Sequence, residues 1–269
     1  MHPILFHWGF ITVYTYGVLV ATGVLLGLWV ARWQAPRSDL NADTVWNLGI
    51  YMVLAALVTA KLWLVALYAG FYWQHPSALL SFSTLQSGGT FYGGVIGALA
   101  MVAVYRYTQK IPLLPLMDCF GLGLPLGHAI GRLGCFAAGC CYGKPTWLPW
   151  GVTYSNPQAA ELVGTPLSIA LHPTQLYESF AELANFVFLF WLARRQKFPG
   201  QIVASYLILY GIERGLMEFL RGDPDRTLMF HGAVSLMQFV SVGMIILGGI
   251  LWYNGSHQPH KRVPAHAHD

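Results

Sequence analysis

Charged side chains are scarce in this chain. Asp, Glu, Lys and Arg make up 10% of its 269 residues, against roughly 25% in an ordinary soluble domain. That leaves too little polar material to coat a water-soluble fold of this size, so composition points to an integral membrane protein. Cysteine is scarce too. Cys119, Cys135, Cys140 and Cys141 are the full set, too few for a disulfide-built scaffold. The opening MHPILFHWGF has no basic stretch of the kind that begins a cleaved signal peptide, so the first hydrophobic segment is expected to stay in the mature protein. No internal repeat stands out. The net charge of +4 does not indicate a nucleic-acid partner, because the position of the charges matters more than their sum.

Hydrophobic residues, by contrast, are plentiful at 55%. A spanning helix needs about 20 mostly apolar residues. That window finds seven candidates, at roughly 12–31, 46–70, 90–107, 114–133, 174–193, 201–220 and 233–253. Helices are expected over strands, since each segment must satisfy its own backbone in lipid. Gly and Pro interrupt the third and fourth windows, and Gly93, Gly94 and Gly97 suit close helix contact. The fold class expected is all-α, a polytopic membrane protein with an external cap. One transmembrane domain covers 1–253, with an irregular cap at about 134–173, and a His-rich tail at 254–269 is disordered.

Basic residues set the orientation. Arg32, Arg37, Arg106, Lys110, Arg194, Arg195, Lys197, Lys261 and Arg262 fall on one side of these spans, and Lys144, Arg221 and Arg226 on the other. The positive-inside rule then puts the N-terminus outside and the C-terminus in the cytoplasm.

Three basic residues sit within apolar spans. Insertion of such a residue at a helix centre costs about 2.5–3.5 kcal/mol. Lys61 can snorkel to an interface. Arg132 and Arg214 are expected near the outer ends of their helices. Arg214, Glu218 and Arg221 are spaced along one helical face, which suits either a structural ion pair or a guanidinium cluster for a phosphate ester. His128 precedes Arg132 by one turn, and His172 opens HPTQLYES ahead of Gln175, Tyr177 and Glu178.

Taken in order, TYGVLVATG (15–23), SGGTFYGGVIG (87–97), GRLGCFAAGCCYGKP (131–145), HPTQLYES (172–179) and YGIERGLMEFLRGD (210–223) resemble the prolipoprotein diacylglyceryl transferase family. LMQFVS (236–241) is a weaker match. The resemblance implies a membrane enzyme that moves the diacylglyceryl group of phosphatidylglycerol onto a lipobox cysteine thiol of a preprolipoprotein signal peptide. A thioether forms and glycerol phosphate leaves, with no metal or organic cofactor. It assigns Arg132 and Arg214 to a phosphate clamp, with Glu218 and Arg221 as supporting or gating groups. Tyr16 and Tyr210 match headgroup tyrosines, and Gln175 and Tyr177 lie at the outer mouth. His128 and His172 join the substrate-binding set. The chain departs from the family's pattern at Tyr92, where a histidine is common. The phenol there can orient a group or relay a proton. Cys135 stands where asparagine is usual, and Cys140 replaces an acidic residue; we place Cys135 with the substrate-binding residues.

The cysteines leave alternatives open. Cys135 and Cys140 are close enough in sequence for a disulfide, or all can serve as packing residues. Their CxxxxCC spacing is not a standard zinc pattern. Two other functions remain compatible with the sequence: a paralogous transferase with a different acceptor, and a non-catalytic lipid-binding or transport protein.

Overall fold

A computed structural model of the chain describes residues 2–9, 11–80, 89–222, 228–229 and 234–257. A short hairpin, β1 (Ile4–Trp8) and β2 (Ile11–Tyr14), leads into helix α1 (Thr15–Gln34). Helix α2 (Ala42–Leu67) follows, begun by Asn41, whose side chain accepts from the Asp43 and Thr44 amides at 2.9 and 3.0 Å. Such a cap satisfies backbone donors that a helix start leaves without partners. Then come α3 (Ala69–Gln74), α4 (Phe91–Gln109) and α5 (Leu113–Ala138). Strand β3 (Val152–Thr153), helix α6 (Pro157–Val163) and strand β4 (Ala170–Leu171) precede α7 (Thr174–Ala193) and α8 (Gln201–Met217). A last strand pair, β5 (Leu228–Met229) and β6 (Val234–Ser235), leads to α9 (Leu236–His257).

Each predicted window therefore holds a long helix. Five stretches of described residues are long and apolar enough to cross a membrane: α1 with the turn after it, α2, α5, α7 and α9. The protein is an all-α polytopic membrane protein. Neither Pro125 nor the glycines break α5, which is continuous and forms the axis of the bundle. Half of its most apolar stretch is buried, against none of that of α2. It packs on α1, α7 and α8, while α4 packs on α2 and α9 on α8.

Small residues make the α1–α5 contact. A Cβ on Gly27 would lie 2.9 Å from the Gly123 carbonyl oxygen, and one on Gly123 would lie 2.2 Å from that of Gly27. Only glycine allows the two backbones to come so close. Gly23 and Gly127 repeat the contact one turn away. Val30, Leu122, Leu189, Leu192, Ile202 and Tyr206 fill the space among α1, α5, α7 and α8. Asp118 of α5 accepts from the Gly200 and Val203 amides at 2.6 and 2.9 Å, which caps the start of α8 from a neighbouring helix.

The basic ends of α1 and α7 lie together. Trp33 stacks on Phe190 at 4.9 Å between ring centres; Arg37 covers Trp33 at 3.7 Å and Arg194 covers Phe190 at 4.7 Å. A guanidinium over an aromatic face gains a cation–π attraction.

Several expectations need correction. The segment expected as an irregular cap from about 134 begins only after α5, which runs on to Ala138. β3 pairs with β4 over a small core of Tyr142, Tyr154 and Leu171, with Phe136, Val152 and Leu167 against it. The stripe from Arg214 to Arg221 is broken: α8 ends at Met217, and Arg221 instead forms a backbone bridge to Gly143. The last helix continues through residues 254–257, whereas the rest of the expected tail, with Lys261 and Arg262, lies outside the described residues, as does Arg226.

Candidate functional site

Arg132 and Arg214 lie at one end of the bundle, where α5, α7 and α8 converge, whereas Lys61 is on α2 and Asp118 caps the start of α8. His128 and Arg132 are one turn apart on α5, and Arg132 Nε donates to His128 Nε2 at 3.1 Å. The other imidazole nitrogen, Nδ1, lies 2.8 Å from Glu182 Oε1 of α7. Since Nε2 accepts from a guanidinium, the neutral ring carries its proton on Nδ1 and donates it to the carboxylate. Arg132 Nη2 forms an ion pair with Glu178, also on α7. The result is a chain, Glu182–His128–Arg132–Glu178, that fixes the guanidinium from two sides.

Arg214 is built the same way from α8. Its side chain is 9% exposed, and Nη1 lies 2.9 Å from Glu218 Oε2. That contact is ionic but poorly aligned as a hydrogen bond, so a buried guanidinium donor has no well-directed acceptor. Another buried carboxylate, Glu213 of α8, accepts from Asn185 Nδ2 at 2.9 Å. Tyr210 meets His128 edge-on at 5.5 Å and stacks on Tyr206 at 5.7 Å.

Tyr16, in the first turn of α1, packs over Gly134 and lies within electrostatic reach of Arg132 and of Cys135, Cys140 and Cys141. Tyr92 is exposed in the first turn of α4, on the helix pair α2–α4 rather than among α5, α7 and α8. His172 and Tyr177 are neighbours at the start of α7. His172 Nδ1 lies 3.4 Å from the Tyr177 hydroxyl, which accepts from Trp150 Nε1 at 2.8 Å. Arg221 sits where the cap joins the end of α8; there the Lys144 amide donates to Leu220 and the Gly222 amide to Tyr142, at 2.8 and 3.1 Å.

Gln175 is a supporting residue in this arrangement. It is fully buried, and Nε2 donates to the Cys140 carbonyl at 2.7 Å and to the Tyr154 hydroxyl at 3.2 Å. Burial raises the Tyr154 phenol above its ordinary pKa, which keeps it neutral.

The cysteine stretch is a turn at the end of α5. All four cysteines are free thiols, so the Cys135–Cys140 disulfide entertained from the sequence is not formed. The sulfurs of Cys135, Cys140 and Cys141 lie within 4.8 Å of one another. Hydrogen bonds from Cys135 and Cys140 hold the Cys141 thiol well below the usual thiol range, helped by Arg132 and Arg221. The Cys140 thiol, committed to Cys135 and Cys141, is held above it.

The pairs one helical turn apart, His128 with Arg132 and Arg214 with Glu218, were legible in the sequence. Glu182, Glu213 and Asn185 were not singled out. One signal was available: Glu178, Glu182 and Asn185 lie on one face of an apolar helix in a chain with 11 acidic residues, so carboxylates there need buried partners.

Residues 3–254 match the family described as prolipoprotein diacylglyceryl transferase. A phosphatidylglycerol–prolipoprotein diacylglyceryl transferase of Clostridium tetani is 34% identical over 251 residues, covering 92% of this chain and 95% of the relative. The enzyme of the same name from Thermosynechococcus vestitus is 34% identical over 263 residues, covering 95% of each. That of Geobacillus kaustophilus is 36% identical over 251 residues, covering 91% of this chain and 89% of the relative. With a match of this extent, the chain belongs to the prolipoprotein diacylglyceryl transferase family.

Proposed function

We propose that this protein transfers the diacylglyceryl group of phosphatidylglycerol to the cysteine thiol of a prolipoprotein. The observation that carries the mechanism is the pair of arginines, Arg132 and Arg214, held by buried carboxylates where α5, α7 and α8 meet. In the transfer, the acceptor sulfur forms a bond to the glycerol carbon that bears the phosphate ester. The carbon–oxygen bond breaks, its electron pair leaves with glycerol phosphate, and the thiol proton is lost. A phosphodiester with one negative charge becomes a monoester with nearly two. Guanidinium groups therefore bind the leaving group more strongly as the bond breaks, which is the differential interaction catalysis requires.

Arg132 commits Nε and Nη2 to His128 and Glu178, and these contacts orient its remaining Nη1 edge for phosphate. Tyr16 and Tyr210 flank this edge as headgroup partners. Glu218 orients Arg214, and Arg221 with His172, Gln175 and Tyr177 joins the cap to the helix ends beside the mouth. Tyr92 orients the acceptor or relays its proton from the α2–α4 side. Cys135 lines the base of the clamp.

We place seven helices across the bacterial inner membrane, with the N-terminus outside. The arginine–aromatic contacts at Trp33 and Phe190 support a cytoplasmic position for that end. The arginine clamp and cap, at the other end of α5, then face the outer leaflet, where signal peptides arrive.

Incubation of the purified protein with phosphatidylglycerol and a lipobox peptide should yield the diacylglyceryl adduct by mass spectrometry. Arg132→Ala and Arg214→Ala should each abolish most of it. Arginine-dependent lipid binding without an adduct would instead point to a different acceptor, in line with the departures at Tyr92, Cys135 and Cys140.

A further inference from the structure

Of the three thiols at the end of α5, Cys135 lines the base of the clamp and Cys140 and Cys141 have no part in the transfer described above, yet side chains from elsewhere hold the turn that carries them. Gly139, in the left-handed region with φ +88°, ends the helix, and Cys141 takes the same region at φ +59°. A non-glycine residue adopts that backbone only when its neighbours hold it there. Three successive carbonyls of the turn are bound by side chains from elsewhere. Thr165 donates to Gly139 at 2.9 Å, Gln175 to Cys140 at 2.7 Å and Thr174 to Cys141 at 2.8 Å. The turn thus brings one thiol from the helix and two from the loop to a common point.

We propose that Cys135, Cys140 and Cys141 form a three-thiolate site for a soft, low-coordinate cation of the monovalent copper class. With metal–sulfur distances of about 2.3 Å, a planar three-sulfur site has sulfurs about 4.0 Å apart. The three sulfurs already lie within 4.8 Å of one another, so small rotations of the thiol-bearing bonds close the site. Thiolates select soft ions such as monovalent copper. Zinc in structural sites takes four ligands, and among the described residues no His, Asp or Glu completes the group. Binding is an exchange of ions without electron transfer: three thiols give up three protons and three sulfur–copper bonds form. The complex carries two excess negative charges, and Arg132 and Arg221 are cations within electrostatic reach of Cys141. The sequence spacing alone gave no reason to expect a metal; the turn geometry supplies it. The site stands beside the transferase chemistry and does not depend on it.

The test titrates Cu(I) into the detergent-purified, reduced full-length protein without oxygen, in competition with a chromogenic Cu(I) chelator. One ion per chain should resist the chelator, with an ultraviolet thiolate-to-copper band and three sulfur neighbours by X-ray absorption. Cys135→Ser, Cys140→Ser and Cys141→Ser should each weaken binding more than about 100-fold, beyond the 10–100-fold that losing a ligand's support costs. Thr174→Val, which leaves every thiol in place, should weaken it by about 10-fold. Cys119→Ser should change nothing. The full-length triple Cys→Ser variant keeps the histidine-rich tail, so the difference between it and the parent counts the thiol site alone. Size-exclusion profiles establish that each variant is folded, and Thr174→Val serves as the reading if a Cys variant is not. Equal Cu(I) retention by the triple variant would overturn the proposal. So would tighter Zn(II) binding with a fourth nitrogen or oxygen neighbour, or a disulfide between two of the three cysteines in protein taken directly from cells.

Discussion

Removing Arg132 should cost the protein twice, and the two costs are separable. Its side chain is 12% exposed and Glu178, its ion-pair partner on α7, is 2% exposed. Arg132→Ala leaves that carboxylate buried without its cation, a loss of about 3–5 kcal/mol. At roughly 2–4 °C per kcal/mol for a chain of this size, the melting temperature should fall by roughly 6–20 °C. Removing both charges in Arg132→Ala/Glu178→Ala should recover most of this, since a buried pair replaced as a unit is often nearly neutral. Recovery should stop short of wild type. His128 loses the Arg132 donor in both variants, worth about 1.5–3 kcal/mol for a charged partner, and nearer the lower figure because its side chain is 24% exposed. Transfer activity should not recover at all. Losing one preorganised donor to a developing oxyanion costs about 10²–10³ in rate, and the double variant still lacks it. Thermal unfolding followed by a thiol-independent probe, with adduct formation measured on the same samples, reads both quantities. A double variant as unstable as Arg132→Ala, or one that regains activity, would refute this account.

The helix contact is open to an equally direct test. Gly123→Leu places side-chain atoms where the Gly27 carbonyl now lies, so folded protein should be largely lost. Gly243→Ala, which meets nothing within 4 Å, should express and melt like the parent. Gln175→Leu strips partners from the Cys140 carbonyl and the Tyr154 hydroxyl, with a loss of about 1–3 kcal/mol for each group left unsatisfied. Unchanged stability with a raised KM for lipid would instead make Gln175 a headgroup contact. Glu182→Gln retains a carbonyl to accept from His128 Nδ1, whereas Glu182→Leu does not. Steady-state kinetics should show the leucine variant slower by up to about tenfold, the value of one ordinary hydrogen bond; equal rates would remove His128 orientation from the mechanism.

Local regularity explains what could be read without coordinates. Scarcity of charge and runs of about 20 apolar residues demanded membrane helices, because lipid offers the backbone no other partners. Arg132 with His128 and Arg214 with Glu218 were legible because residues four apart share a helical face. Past the helix ends that rule gave out: Arg221 was assigned to the same stripe, yet α8 had already stopped at Met217. The cap's strand pair was hidden for a related reason. Two-residue strands such as Val152–Thr153 and Ala170–Leu171 are too short to show an alternating pattern.

The amino-acid order by itself therefore determined the membrane class, the positions of the helices and the contacts between polar side chains four residues apart. Only the tertiary structure decided which charges meet across helices. Glu178 reaches Arg132 and Glu182 reaches His128 because α7 packs on α5 with those faces inward. Likewise Cys135 joins Cys140 and Cys141 because the left-handed turn after α5, tied to Thr165, Thr174 and Gln175, folds the loop thiols back on the helix. The 3.6-residue period is a property of each segment alone. The choice of facing partners depends on how segments far apart in the chain bury their few polar groups together.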